Sequence, residues 1–236
     1  MLLNECMAKI SLPDFFAYYK GTVEQKEAIV LLESMMPTSL LQTDSAWVTK
    51  YREKPEPPPP SEGICTPELM QRLTGFAADK FDSVFCDDCN RLFRETGFDQ
   101  HPHCQMMLMA NMMHETCNFV YMQEIASGEA YNNRSDLGNG PTDGPVYKGA
   151  GVLMLTGRYN YQRLAERIND PRVMEGVDYV SNTYPFTSAK VWIEENRLLD
   201  VCLHEGFDAC CKRINGGWNG IDDRRAKYGI CQKEMA

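Results

Sequence analysis

Five prolines fall within the ten residues from Glu53 to Glu62, four of them consecutive from Pro57 to Pro60. Such a run cannot continue a helix or a central strand, because each ring fixes φ and removes a backbone donor. It favours extended polyproline II and acts as a semi-rigid spacer. The chain is thereby divided into a segment 1–52, a linker 53–62 and a longer segment 63–236. A long surface loop inside one domain is the alternative. Segment 1–52 reads as a small helical module, with Pro13–Lys20 ending at Gly21 and Glu24–Met36 ending at Pro37. About fifty residues give only a marginal core.

The longer segment is patterned for helices. Thr66 followed by Pro67 is an N-cap with proline at the first helical position. Leu69, Leu73, Phe76, Ala77 and Phe81 then form one apolar stripe, which predicts an amphipathic helix. Further helices are expected over 87–96 (closed by Gly97), 105–115, 157–168, 187–199, 203–214 and 222–228. Met106, Met109 and Met113 share one face of the third, as core filling. Between Gly128 and Gly151 lie six glycines and two prolines, a turn-rich loop or small hairpin. The class is mainly α.

Composition narrows the function. The share of hydrophobic residues is 43% and of charged residues 24%, as in a globular protein. No apolar run approaches the roughly 20 residues that span a bilayer, so membrane insertion is not expected. The net charge of −9 argues against phosphate neutralisation, hence against nucleic acid as a partner. The first residues lack a basic and apolar leader, which predicts synthesis without a secretory signal. The ten cysteines are compatible with thiols, a metal site or disulfides formed only after release.

Three chemistries compete. Cys86 and Cys89 with His101, His103 and Cys104 superficially suit zinc, yet no second Cys-x-x-Cys closes the set. His114-Glu115 begins like a zinc-peptidase helix, but Asn118 stands where the second histidine is required. No Gly-x-Ser-x-Gly elbow supports a serine nucleophile. Neither metal nor cofactor is expected. The third chemistry is a carboxylate pair, Glu115 and Glu124. On one continuous helix they would stand about 13 Å apart in rise and on opposite faces. Inverting glycosidases separate their carboxylates by roughly 6.5–9.5 Å. Cooperation therefore requires the helix to break near Cys117–Phe119.

His114-Glu115-Thr116, Tyr131–Gly140, Tyr147–Tyr161 and Ile214–Tyr228, four ordered stretches within about residues 66–230, together resemble glycoside hydrolase family 19, the group of plant-type chitinases and many phage endolysins. His114-Glu115-Thr116 is similar to the family's catalytic His-Glu-Thr/Ser. Residues 131–140, Tyr131 through Arg134 to Gly140, resemble the Tyr…Arg…Gly-Asn segment of the phage branch. Residues 147–161 resemble Gly-Arg-Gly-x-x-Gln-Leu-Thr-Gly-Arg-x-Asn-Tyr. Ile214-Asn215-Gly216-Gly217 and residues 219–228 resemble the closing Ile-Asn-Gly-Gly and Arg-x-x-x-Tyr.

The resemblance implies a lysozyme-like, two-lobed helical fold and an inverting mechanism. Glu115 would be the general acid, its pKa raised by apolar Met and Phe surroundings. Glu124 would be the general base, and Thr156 would hold the attacking water with it. Asn160 and Asn215 would bond N-acetyl groups, and His114, Tyr131, Arg134 and Tyr161 would complete the binding site. Arg225 (or Arg224) would pair with an acidic residue of the catalytic site. Two departures stand out: the motif's Arg is Ala150 and its Gln is Met154, which puts polymer preference in question. The implied function is that of a phage-type endolysin cutting β-1,4 bonds of peptidoglycan, with a chitinase or a non-catalytic wall-binding or virion protein as alternatives. The lysin would be a monomer made in a host cytoplasm and acting at the cell wall after release. Phe15, Phe16, Tyr18 and Tyr19 would then either form the small module's own core or help hold the wall.

Overall fold

A computed structural model describes residues 63–236. The expected helical module over 1–52 and the linker 53–62 lie outside the described residues. Ten α-helices are present among those described: α1 Pro67–Thr74, α2 Ser83–Thr96, α3 Pro102–Glu115, α4 Asp143–Val146, α5 Arg158–Ile168, α6 Val177–Thr183, α7 Pro185–Glu195, α8 Leu198–His204, α9 Phe207–Asn215 and α10 Ile221–Glu234. The mainly α class read from the sequence is the class observed among the described residues.

Helix boundaries follow local chemistry. Thr66 caps α1, its Oγ1 accepting from the Leu69 amide at 3.2 Å. The helix stops at Gly75 in the left-handed region, so the expected stripe through Phe81 does not belong to one helix. Phe81 instead reaches the same core from after a short 3-10 turn. Asp82 caps α2, which starts four residues earlier than the apolar pattern indicates and ends at left-handed Gly97. The expected helix over 187–199 is two: α7 ends at Glu195, and Arg197 turns the chain at φ 49° before α8. The 128–151 stretch is a loop of 3-10 turns and short α4, with isolated antiparallel bridges Gln123–Ala150 and Ala150–Leu155 in place of a continuous hairpin ladder.

The core forms two clusters. The first surrounds α3, on which every residue from Cys104 to Met113 is buried, so the methionines pack on all sides and not along one stripe. Helix α10 lies along it, with α1, α2, α8 and α9 around them. Truncating a side chain such as Leu108, fully buried here, costs about 2–5 kcal/mol in comparable cores. The second cluster gathers Tyr147, Tyr161, Leu164, Val173, Val180 and Val191, from the 147–155 loop, α5, the 3-10 turn Pro171–Glu175, α6 and α7. Trp192 touches both. Two cores joined through α7 make two lobes, and the chain between α3 and α5 runs along the seam.

Candidate active site

Glu115 is the last residue of α3, with Thr116 as its C-cap. The next three residues, Cys117, Asn118 and Phe119, all take positive φ, at 50°, 61° and 63°. The left-handed region costs a non-glycine residue free energy, and tertiary contacts must hold it. Thr116 Oγ1 accepts from the Phe119 amide at 2.8 Å, and Phe119 packs edge-on to Phe81 and Phe85. The helix break that cooperation of the two glutamates requires is therefore present, at the residues expected.

Past this corner the chain returns along the 147–157 loop. Glu124 is pinned there by its backbone, with its amide donating to the Gly149 carbonyl at 2.8 Å. Its carboxylate accepts from the Tyr131 hydroxyl at 2.9 Å and the Gly149 amide at 3.0 Å. Burial, then the bond to Glu124, push the Tyr131 phenol up, so it remains a donor at neutral pH. Gly151, at φ 76°, lets the loop lie on the start of α7; a Cβ there would meet Ser188 Oγ at 2.3 Å.

Glu115 and Glu124 line one cavity of about 690 Å³ between the lobes, within the range of small-ligand sites. Tyr131, Arg134, Thr156, Asn160 and Asn215 line it too, so seven of the ten sequence-derived residues converge. Thr156 Oγ1 donates to the Met154 carbonyl at 2.8 Å, which leaves its oxygen as an acceptor toward the cavity. Asn160 Nδ2 donates to the Thr156 carbonyl at 2.7 Å. Arg134 is held by a fork to Asp136 at 2.5 and 2.7 Å.

Three expected residues do not line the cavity. Tyr161 is fully buried in the second core, its hydroxyl donating to the Lys148 carbonyl at 2.6 Å, and supports the loop from behind. The His114 ring points to the start of α10, with Nδ1 2.6 Å from Asp223 Oδ2. Gly220 leaves room for that ring, since a Cβ there would stand 2.3 Å from it. Burial works against the Asp223 carboxylate, but the bond to His114 and the charge of Lys227 hold it below the ordinary carboxylate range. Arg225 is exposed and pairs with Asp208 at 2.6 Å. Its neighbour Arg224 is the residue that faces inward, 1% exposed, and donates to the Glu115 carboxylate. Of the two arginines expected to pair with an acidic residue of the site, it is Arg224 that does so, among the apolar residues around Glu115. Arg224 also donates to Asn111 Oδ1 at 2.6 Å, one helical turn before Glu115.

Sequence reasoning missed several lining residues: Cys117, Tyr121, Gln123, Ile125, Trp192 and Arg213. Only Cys117 carried a signal, as part of the required break. Of the two departures, Ala150 is fully buried in the loop, while Met154 lines the cavity and places a thioether on its wall. The cysteines and histidines weighed for zinc do not gather: among the described residues, no group of three or more His, Cys, Asp or Glu is placed to hold a metal ion. No described helix is long and apolar enough to cross a membrane.

No protein-family model matches the chain. Two curated relatives are each 32% identical to part of it. A glycosyl hydrolase family 19 domain-containing protein of Haemophilus influenzae matches over 108 residues, 44% of this chain and 51% of that protein. An endochitinase of Arabidopsis thaliana matches over 112 residues, 47% of this chain and 38% of that protein. The chain thus spans about half the length, or less, of these relatives. Among solved structures, chitinase C from Streptomyces griseus aligns at TM-score 0.56 and 14% identity, covering 74% of this chain and 94% of that one. A point variant of a chitinase C aligns at 0.54 and 12%, with the same coverage. The motif resemblance is therefore matched by one relative named for glycosyl hydrolase family 19 and one named an endochitinase, and the fold is that of the chitinase C structures. The relatives and neighbours are named as chitinases or for a glycosyl hydrolase domain.

Proposed function

We propose that this protein hydrolyses β-1,4 bonds between N-acetylated amino sugars by inversion, with peptidoglycan as its polymer. The observation that carries the reading is the pair of glutamates on one cavity, brought together by the left-handed corner at Cys117–Phe119. Glu115 donates a proton to the leaving oxygen. Glu124 takes one from water on the opposite face of the sugar. Thr156 Oγ1 accepts the water's second hydrogen, because its own is already directed at Met154. Tyr131 and the Gly149 amide orient the Glu124 carboxylate while leaving acceptor sites for that water. Asn160 and Asn215 bond N-acetyl groups, and Arg224 fixes the orientation of Glu115.

The preference for peptidoglycan rests on the similarity of residues 131–140 to the phage branch and on Met154 and Ala150, which depart from the family motif. The reading is of a lysin, synthesised in a host cytoplasm and acting at the cell wall. The names of the relatives favour a second polymer, chitin. Mass analysis of products decides between them. Muropeptides with a new reducing end from purified peptidoglycan support the lysin and identify the bond. Release of chitin oligomers with no attack on peptidoglycan overturns it.

A further inference from the structure

The charged groups on the cavity wall are not equally balanced. Glu115 is paired with Arg224, and the Arg134 guanidinium is occupied by the Asp136 fork. Arg213 differs. It stands in the last turn of α9, and among the described residues it has no carboxylate partner. One terminal nitrogen donates to the Asn196 carbonyl, the C-cap of α7, at 3.0 Å. That single bond anchors the guanidinium beside the cavity and leaves most of its five N–H donors unused. A cation so placed, in a protein of net charge −9 whose cavity also holds the acids Glu115 and Glu124, has a clear electrostatic consequence. It is the cation on this wall whose charge no carboxylate among the described residues balances, so it attracts an anion at short range.

We infer that Arg213 recognises a carboxylate of the glycan, making it a specificity-determining residue for muramic acid-containing strands over neutral ones. The inference rests on the proposed glycan hydrolysis. The N-acetylated sugars of chitin carry no charge, whereas a lactyl-substituted sugar presents a carboxylate where it is free, and where a stem peptide is joined to it as an amide the peptide presents carboxylates of its own. The planar guanidinium fork matches such a group in two parallel bonds. It also supplies short-range attraction where long-range steering of an anionic polymer is unfavourable.

The test compares wild type with Arg213→Gln and Arg213→Lys on three soluble substrates of matched length. These are strands trimmed by an amidase to the free lactyl carboxylate, strands with stem peptides intact, and neutral chitin oligomers. For Arg213→Gln, kcat/KM on the trimmed strands is expected to fall about tenfold, mainly through KM, as for loss of a charge-assisted hydrogen bond. The fall should be at least about fivefold greater than on chitin oligomers, with Arg213→Lys recovering part of it. A selective fall seen only with intact strands supports the contact and assigns it to the stem peptide. An equal effect on charged and neutral substrates overturns the inference. If wild type cleaves none of the three, the hydrolase reading fails instead. The contact is then decided by titrating the trimmed strands into wild type and Arg213→Gln, where equal affinities overturn it.

Discussion

Arg224 reaches from the first turn of α10 to the end of α3, where its guanidinium donates to the carboxylate of Glu115. The arginine is 1% exposed and the Glu115 side chain 17%, so neither charge is freely solvated. Removing one partner of such a pair leaves the other charge uncompensated, which costs about 3 kcal/mol when burial is deep. Arg224→Leu should therefore lower the denaturant midpoint and disorder Glu115 together. Arg225→Leu, one residue on but exposed and paired with Asp208, should shift stability by less than about 1 kcal/mol. Chemical denaturation of the two variants checks the order, and equal effects would refute the assignment.

Glu115→Gln and Glu124→Gln should each reduce kcat on a glycan substrate by about 100-fold or more while changing KM little, as expected for loss of a proton donor or acceptor. Steady-state kinetics on soluble oligomers measure this. A variant that keeps wild-type kcat removes its residue from the acid–base pair.

Asp170 is 4% exposed and accepts from Tyr179 and Tyr184 at 2.7 and 2.8 Å and from the Arg172 amide at 3.0 Å. Burial alone would raise its pKa, but the two phenols and the amide hold it below the ordinary carboxylate value. A carboxylate with a depressed pKa stabilises the fold above its unfolded pKa, about 3.9, and loses that contribution as pH falls through the folded value. Asp170→Asn should thus be less stable than wild type by about 2 kcal/mol at pH 7. The gap should narrow below about pH 4. Melting temperatures across pH 3–8 follow it, and a gap independent of pH would contradict the ionised-Asp170 account.

Among the described cysteines Cys117 is exposed and the other eight are buried. Burial pushes Cys86 and Cys231 up to about 12, and Cys104 and Cys211 to about 11. Thiolate is the reactive form, so a maleimide at pH 7 should modify Cys117 and spare these four. Because Cys117 lines the cavity, a bulky adduct should also block hydrolysis, and Cys117→Ser should be resistant. Peptide mapping by mass spectrometry shows which thiols react; comparable labelling of Cys86 or Cys231 would oppose the buried assignment.

Much of this was legible where the determining chemistry is local. The Thr66 cap, the stop at Gly97 and the end of α3 are set by residues within a turn of the boundary. The break after Glu115 followed from a chemical requirement placed on two glutamates, and the backbone meets it. Long-range choices were not legible. Arg224 and Arg225 are neighbours in sequence, yet about 100° apart around a helix. Which of them turns inward depends on how α10 lies on α3, and the mostly polar α10 sequence carries no stripe to orient it. The motif position of Tyr161 likewise says nothing of direction, and only the packed second core shows that it faces away from the cavity. The seven-residue α6 is too short for its periodicity to stand out.

The corner at Cys117–Phe119 also divides the two carboxylates mechanically. Glu115 ends a helix embedded in the first core, so it moves only as that core moves. Glu124 belongs to a strip tied through Gly149 to the 147–157 loop, which packs in both cores. The gap between the proposed acid and the proposed base is therefore bridged by the corner and the segment that follows it. A sugar bound in the cavity would thus meet two carboxylates held by different parts of the fold, one by the end of α3 and one by the loop at Gly149.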